Sequence, residues 1–464
     1  MERFSKLIWA VSLSVAMILS SFVFIGTVDS GSVQEIEVSA AEPLPTPQWD
    51  YNPWPTFNGS TVYHSIPEME TELFWIAETY PQITKLVSIG KSWQGRDIWA
   101  MKISDNPQVE EEGEPEVYFN SNHHAREWLT IEIALYTMRY LTNFYGTNAT
   151  ITNIVNTRQI WIIPTANPDG RVYDSVGDNP ATHSVQPYGW RRNARDNDNS
   201  GTFNPPADGV DLNRNYGFLW GAAGATSDTT YDTYGGPSPF SEPESAAIRD
   251  FARQHEFVFA ISFHTYSQLI LYPWGWSYEN APDHYALKAV AEGMAGVITN
   301  KAGSAYPGYT PQKSSGLYPT AGSDDDWLYG ELGTFAYCIE MYPNVNDADT
   351  AVTGTYDLFH PREDKVIPAC QDNLPAIMLL CKLADNKFQL IDHVSVSPDT
   401  AEATIKKGTT GNVVLDVTDD GRRADSFTIS RTTPAAWTVS VTPTSLALAR
   451  EQPRTATHSD TDPG

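Results

Sequence analysis

Two potential metal ligands, His124 and Glu127, lie three residues apart and directly follow a short apolar segment, residues 117–119. A catalytic zinc ion takes about three protein ligands and keeps one position open for water. The third ligand must come from elsewhere, and His264 is the candidate because it ends a second apolar segment, residues 257–263. Exposed helices also carry His-x-x-Glu pairs, so this pair alone leaves a solvated surface as the alternative.

Charged residues further along the chain have the chemistry that a hydrolytic zinc site needs. Arg191 and Arg214 lie in predicted loops, where guanidinium groups suit an anionic substrate group and a developing oxyanion. Glu340 lies at the end of an apolar run, residues 336–339, where a carboxylate is rarely a solvated surface group. It is either a partner in a buried ion pair or a general base that acts on water.

Strand and helix patterns alternate between these residues, and this alternation predicts an α/β layer fold with a mixed or largely parallel sheet. Such sheets carry their sites in the loops beyond the strand ends. Capping-box patterns at Ser65 and Ser241 predict two helix starts, and Pro81 must follow the end of the first helix. Together with the apolar segments 117–119 and 257–263, residues 160–163 and 335–341 are predicted strands. Besides the two helices that begin near Ser65 and Ser241, the predicted helices are residues 128–144, 284–300 and 363–384.

Composition excludes some classes of protein. The 464 residues include 30 Lys and Arg against 57 Asp and Glu, which gives a net charge of -27. Nucleic-acid binding needs clustered basic residues, so we expect no nucleic-acid partner. The three cysteines, Cys338, Cys370 and Cys381, are too few for a disulfide framework, and we expect them to be packing residues.

Both ends of the chain differ from the middle. Residues 1–41 combine Arg3 and Lys6 with a long apolar stretch and small residues near Ala41, a pattern typical of a cleaved secretory signal, with an uncleaved anchor as the alternative. We therefore expect a secreted, extracellular monomer without a membrane contact after cleavage. Residues 42–57 are a proline-rich linker. Residues 391–450 show the short alternating runs of a small β domain that is shorter than a full sandwich. Residues 451–464 are polar and predicted to be disordered.

Five ordered blocks within residues 58–388 resemble the zinc metallocarboxypeptidases, the family of pancreatic carboxypeptidases A and B, and most closely the bacterial carboxypeptidase T branch. The resemblance implies one zinc ion, an eight-stranded mixed, largely parallel sheet flanked by helices, and hydrolysis of the C-terminal bond of peptides and proteins. The blocks are His124-Ala125-Arg126-Glu127-Trp128, Trp190-Arg191, Asp211-Leu212-Asn213-Arg214-Asn215, Ser262 to Gln268, and Tyr318 to Trp327 followed by Glu340.

The same resemblance implies a role for each matching residue. His124, Glu127 and His264 match the zinc ligands, and Asp211 matches a carboxylate that orients the first histidine. Glu340 matches the general base and Arg191 the group that stabilises the oxyanion. The remaining matches are substrate-binding positions: Asn213, Arg214 and Tyr318 for the C-terminal carboxylate, and Arg126 and Tyr266 for the upstream peptide.

Two further predictions concern specificity and a second metal. Asp325 falls where relatives that prefer Arg or Lys carry an aspartate at the base of the pocket for the substrate's C-terminal side chain. The resemblance therefore implies a preference for basic C-terminal residues, with possible activity on apolar ones. The alternative is that Asp324 and Asp325 face solvent on a loop. Residues 196–201 resemble the start of a calcium loop, with Asp196, Asp198 and Ser200 at alternate positions, and an Asx-rich turn is the alternative.

Two other functions stay open at this point. A related enzyme acting on cell-wall peptides would carry the same residues, because stem peptides also have C-termini. A catalytically inactive binding protein would be expected to lack a zinc ligand or the base, and all of them are present here. The β domain could itself be a glycan-binding module.

Overall fold

The computed structural model describes residues 63–175, 189–347 and 358–384, together with the backbone of strands outside these ranges. The chain divides into a larger unit, residues 39–281 and 290–385, and a smaller unit, residues 1–38, 282–289 and 386–464. Within the residues described, no helix combines the length and apolar character that crossing a membrane requires.

The strands of the chain are β1 (Leu13–Leu19), β2 (Phe22–Val28), β3 (Thr84–Lys91), β4 (Asp97–Ile103), β5 (Glu116–Ser121), β6 (Gln159–Ile163), β7 (Phe257–Thr265), β8 (Leu269–Tyr272), β9 (Thr310–Lys313), β10 (Phe335–Met341), β11 (Val394–Ser397), β12 (Thr410–Asp419), β13 (Asp425–Ser430), β14 (Thr438–Thr442), β15 (Ser445–Leu448) and β16 (Arg454–Thr461). The helices are α1 (Ile66–Thr79), α2 (Leu129–Phe144), α3 (Ala149–Val155), α4 (Pro168–Asp174), α5 (Pro243–Ala252), α6 (His284–Val297), α7 (Asp324–Leu332) and α8 (Glu363–Leu383).

The larger unit contains an eight-stranded sheet in the order β3-β4-β6-β5-β7-β10-β8-β9. Its centre is parallel, because β5 pairs in parallel with β6 and β7, and β7 with β10. The pairs β3–β4, β4–β6 and β10–β8 are antiparallel. The predicted mixed eight-stranded sheet with flanking helices is therefore confirmed.

This topology brings the predicted ligands to one edge of the sheet. β5 and β7 are parallel neighbours, so the segment after β5, which contains His124, lies beside the carboxyl end of β7, which contains His264. Glu340 on β10 is the register partner of His264. Ligand sites of α/β sheets form outside the carboxyl ends of parallel strands, as here.

All three cysteines are buried and free. Cys338 lies in β10, whereas Cys370 and Cys381 lie on α8. The prediction that they are packing residues is confirmed.

The two predicted capping boxes have different outcomes. At α1, the Ser65 side chain accepts from the Glu68 amide, and the Glu68 side chain accepts from the Ser65 amide, so this capping box is confirmed. α5 begins at Pro243, so the predicted helix start is confirmed, but the residue before the helix is Glu242 and no side chain caps it, so the predicted capping box was wrong. Ser241 instead donates to the Glu242 carboxylate and accepts from Asn215.

The acidic residues after Tyr318 do not lie in a loop. Asp324, Asp325 and Asp326 form the first turn of α7 and are at most 5% exposed. The N-terminal end of a helix carries partial positive charge, which favours carboxylates in its first turn. The alternative that Asp324 and Asp325 face solvent is therefore wrong.

The smaller unit contains two sheets, with strand orders β15-β13-β1-β2 and β11-β12-β16-β14. β1 and β2 fall in the segment predicted to be a cleaved signal, and its removal stays a prediction. β16 falls in residues 451–464, so the structure differs there from the predicted disorder; this strand pairs with β12 and β14.

A buried charge cluster fixes α1 against α2, the helix that follows Glu127. The His64 ring lies 2.7 Å from Glu132 and 3.3 Å from Glu72, and Arg139 also pairs with Glu72. Burial alone would lower the pKa of His64, but the two glutamates raise it to about 10. A group with a raised native pKa stabilises the fold fully below its unfolded pKa of about 6.5, and this stabilisation is lost as the pH rises through the native pKa.

We therefore expect the unfolding free energy to fall between about pH 6.5 and pH 10, by up to about 1.4 kcal/mol per pH unit from this residue. Replacing His64 with glutamine should reduce the stability at pH 7 and flatten the fall at higher pH. Urea unfolding of both proteins at several pH values measures this. Equal slopes for the wild type and His64→Gln would show that His64 is not charged in the native state.

Candidate metal centre

Four donor atoms from three side chains converge at the edge of the sheet. The Nδ1 atoms of His124 and His264 are 3.0 Å apart. One Glu127 carboxylate oxygen lies 2.7 Å from His124 Nδ1, and the other lies 2.9 Å from His264 Nδ1. All three residues are at least 95% buried. The structure thus brings together the three predicted ligands.

The chain between β5 and α2 is shaped by Asn122. This residue has φ of 56°, in the left-handed region, where asparagine is one of the few residues commonly found besides glycine. Its amide group donates to the carbonyl groups of His124 and Glu127 at 3.0 and 3.3 Å, which positions both ligands. The sequence analysis did not identify Asn122, although asparagine directly after a predicted strand is a recognisable signal for such a turn.

The donor set fits a zinc ion. Two histidine nitrogens and a carboxylate are among the ligand sets of catalytic zinc sites, and they leave an open position. Burial would raise the pKa of Glu127, but His124 and His264 hold it well below its usual range. The carboxylate is therefore ionised, as a metal ligand must be.

Asp211 lies behind His124 and connects it to Arg191, predicted to stabilise the oxyanion, and to Arg214, predicted to bind the C-terminal carboxylate. Its carboxylate lies 3.3 Å from His124 Nε2, accepts from Arg191 Nε at 2.8 Å and lies 4.0 Å from Arg214. Burial opposes the charge, yet Arg191, Arg214 and His124 hold the pKa of Asp211 well below its usual range. A permanent carboxylate at His124 Nε2 favours the tautomer that leaves Nδ1 free for a metal.

Arg191 has a guanidinium nitrogen without a hydrogen-bond partner among the described residues, whereas Arg214 donates to backbone carbonyl groups. The Arg191 Nη2 atom is buried and has no hydrogen-bond partner within the described residues. Arg214 is 2% exposed and donates to the carbonyl groups of Asn213 and Gly224. Its guanidinium lies 5.8 Å from the centre of the Tyr318 ring, and Tyr318 is 48% exposed. Asn213 accepts from the Asp324 amide and faces His264.

Glu340 is partly exposed beside the ligands. Burial and the nearby Glu127 raise its pKa to about 8. A carboxylate with a raised pKa is a stronger base than an ordinary glutamate, which suits proton transfer near neutral pH.

The two predicted upstream residues meet at one aromatic ring. The Arg126 guanidinium lies 4.3 Å from the centre of the Phe359 ring, and Tyr266 contacts the same ring edge-on at 5.0 Å. Arg126 also donates to the Gly189 carbonyl and to Asp232, at 3.0 and 3.1 Å.

Asp325 is buried but has a neutral partner. It is 5% exposed and accepts from the Ser314 hydroxyl at 2.8 Å. The next residue, Asp326, is fully buried and accepts from the amides of Gly275 and Trp276, so it supports the backbone.

The predicted calcium residues form a tight turn. The Ser200 amide donates to the carboxylates of Asp196 and Asp198 at 3.1 and 3.0 Å, which is the Asx-rich arrangement considered above. Asp208, which the sequence analysis did not include, has a carboxylate oxygen within 4.8 Å of theirs. Calcium binding at this turn stays a prediction.

Comparisons with known proteins identify the family to which this chain belongs. The family model described as zinc carboxypeptidase matches residues 69–376. A zinc carboxypeptidase of Saccharothrix mutabilis subsp. capreolus is 37% identical over 337 residues, which are 71% of this chain and 71% of that protein. A carboxypeptidase B of Astacus astacus is 29% identical and matches 71% of this chain and 99% of its own length.

A solved structure has the same fold. The carboxypeptidase A of Helicoverpa armigera superposes with a TM-score of 0.60 at 28% identity, covering 70% of this chain and 74% of that one. With a family model over most of the larger unit and a relative above 30% identity, the chain belongs to the zinc carboxypeptidase family and is a metallocarboxypeptidase, a peptide hydrolase.

Proposed function

We propose that this protein is a secreted carboxypeptidase that releases single C-terminal residues, with a preference for Arg and Lys, and that His124, Glu127 and His264 hold its zinc ion. The observation that carries the proposal is the convergence of these three ligands beside Glu340, Arg191 and Arg214. A bound zinc ion supplies Lewis-acid chemistry, since it polarises the scissile carbonyl and acidifies the attacking water.

Glu340 moves the proton in this mechanism. Its carboxylate accepts a proton from the attacking water and then donates it to the leaving amine. The raised pKa of Glu340, to about 8, suits both transfers. Because β10 and β7 pair in register at Glu340 and His264, the base is fixed beside the ligand by the sheet itself.

Arg191 stabilises the negative charge that develops on the carbonyl oxygen. Its Nε atom is fixed by Asp211, and its buried Nη2 atom is free to donate. A donor that is already oriented before the reaction needs no reorganisation in the transition state.

The C-terminal carboxylate of the substrate is recognised by Arg214 and Asn213, together with Tyr318. A buried guanidinium binds a free carboxylate strongly, and an internal peptide bond offers no such charge. Arg126 and Tyr266, which meet at Phe359, bind the upstream peptide. Asp211 orients both His124 and Arg191.

Asp325 determines the preference for basic residues. Its carboxylate is 95% buried and accepts from the neutral Ser314 hydroxyl, so a substrate guanidinium or ammonium group would supply a cation there. The net charge of -27 also favours the approach of cationic peptides. An apolar side chain would leave the carboxylate without a counter-charge.

A panel of peptides ending in Arg, Lys, Leu, Phe or Glu tests the function. We expect mass spectrometry to show loss of one residue at a time, fastest from Arg and Lys, and no loss when a chelator is present. A cell-wall stem peptide in the same panel tests the alternative substrate class. Cleavage of that peptide alone would favour the cell-wall enzyme.

Replacing Asp325 with isoleucine should shift kcat/KM from basic towards apolar C-termini by about a hundredfold, as expected for the loss of a buried charge pair. Asp250→Ile, at an exposed aspartate of α5, is the control. If the wild type prefers Phe or Leu, or if Asp325→Ile leaves the ratio unchanged, the pocket assignment is wrong.

A further inference from the structure

A row of buried polar side chains lies on the side of His264 away from the ligand atoms, and the mechanism does not use it. It contains Ser262, His123, Tyr216 and Asp324, which are all at most 3% exposed. These residues come from β7, from the segment after β5, from a loop and from the start of α7. Four separate parts of the chain therefore meet behind one zinc ligand.

The contacts form a continuous chain that starts at His264. Its Nε2 atom lies 3.2 Å from the Ser262 hydroxyl, and that hydroxyl lies 3.4 Å from His123 Nδ1. His123 Nε2 lies 2.7 Å from the Tyr216 hydroxyl. The Asp324 carboxylate lies near the Tyr216 hydroxyl, and burial together with this negative charge raises the pKa of Tyr216 well above its usual value.

The direction of donation at His264 follows from the atom that binds the metal. If His264 binds a metal through Nδ1, its Nε2 carries hydrogen and must donate. Two groups of the described residues lie within hydrogen-bonding distance of Nε2, and only the Ser262 oxygen accepts, because the Asn213 amide nitrogen at 3.5 Å is a donor.

The direction then continues to the end of the row. The same sense of donation has Ser262 donating to His123 Nδ1 and the His123 Nε2 hydrogen donating to Tyr216, which leaves the Tyr216 hydrogen for the nearby Asp324 carboxylate.

The surroundings favour this arrangement. His123 is fully buried, where an uncompensated charge is costly, and a neutral ring has one donor and one acceptor nitrogen. At the far end, burial raises the pKa of Asp324 to about 7, while the Asn120 amide, which donates to it at 2.7 Å, and the start of α7 both favour its ionised form. The His123 and His264 rings are also nearly parallel, at 18°.

We propose that Ser262, His123 and Tyr216 are positioning residues that hold His264 in the tautomer and orientation that bind zinc. The proposal rests on the proposed zinc site. Each histidine ligand then has an outer partner at Nε2: Asp211 faces His124 Nε2, and the Ser262 hydroxyl accepts from His264 Nε2. Outer partners of this kind typically change metal affinity 10–100-fold when they are removed.

Zinc affinity, measured by competition with a fluorescent chelator, tests this inference without relying on activity. We expect Tyr216→Phe and Ser262→Ala each to weaken zinc binding about tenfold or more. Tyr118→Phe is the matched control, because its hydroxyl is equally buried and contacts the same Asn120 but lies outside the row. It should change the affinity less than about twofold. The melting temperature of each zinc-free variant shows whether the fold is retained.

Two more variants separate positioning from general packing. Ser262→Thr keeps the hydroxyl and should restore most of the affinity lost in Ser262→Ala. The double variant Ser262→Ala/Tyr216→Phe should bind zinc about as weakly as the weaker single variant, because both changes break the same row.

Additive effects in the double variant, or a Tyr216→Phe affinity equal to that of Tyr118→Phe, would overturn the inference while leaving the zinc site intact. A wild-type protein that binds no zinc would instead overturn the proposed function.

Discussion

Replacing Glu340 with glutamine is expected to reduce kcat at least about a hundredfold while the zinc content stays unchanged. Glutamine keeps the shape of the side chain but cannot accept the proton, and general bases contribute about 10²–10⁴-fold to rates. Glu340 is not one of the converging ligands, so the metal should stay bound. Steady-state kinetics and metal analysis of the same preparation measure both quantities.

Glu331→Gln is the control for this variant, because Glu331 lies on α7 and pairs with Arg253 at the surface. Its kcat should match that of the wild type. Near-normal turnover in Glu340→Gln would mean that another group is the base.

The second large expected effect concerns recognition of the substrate's C-terminal carboxylate. Converting the C-terminal carboxylate of a good substrate to an amide should reduce kcat/KM about 10²–10³-fold. Charged hydrogen bonds contribute about 1.5–3 kcal/mol each, and a guanidinium can form two of them with one carboxylate. Each 1.4 kcal/mol corresponds to a factor of ten. Arg214 is suited to this because it is buried and already oriented by two backbone carbonyls.

Combining the substitution of Arg214 with the change from acid to amide substrate tests whether Arg214 causes this effect. Arg214→Ala should cleave the free acid poorly and should lose most of the discrimination between acid and amide. Arg249→Ala, at a surface arginine paired with Asp250, should keep the discrimination. Equal cleavage of acid and amide by the wild type would indicate an endopeptidase.

The elements that sequence analysis predicted best are the fully buried ones. β10 was predicted with its observed bounds because all its residues except Glu340 are apolar. The β3–β4 hairpin was not predicted, since β3 has mostly half-exposed residues and lacks a clear pattern. The capping box at Ser241 failed because Asn215, from a distant loop, hydrogen-bonds to the Ser241 hydroxyl.

The site residues also differ in how well the sequence predicted them. His124 and Glu127 are close in sequence, so their spacing was informative, and the structure places His264 beside them as expected. The row behind His264 could not be predicted, because it depends on contacts between distant residues. His123 and Tyr216 are 93 positions apart, and Asn120 and Asp324 are 204 apart. Only the folded sheet brings these pairs together.

Zinc dependence with identified ligands tests the central claim most directly. Purified protein should contain about one zinc ion per chain, lose peptide hydrolysis when a chelator removes it, and regain hydrolysis when zinc is added back. His264→Ala should bind zinc far more weakly and stay inactive at zinc concentrations that restore the wild type. Full hydrolysis by a protein shown to be metal-free, or normal zinc affinity in His264→Ala, would contradict the account.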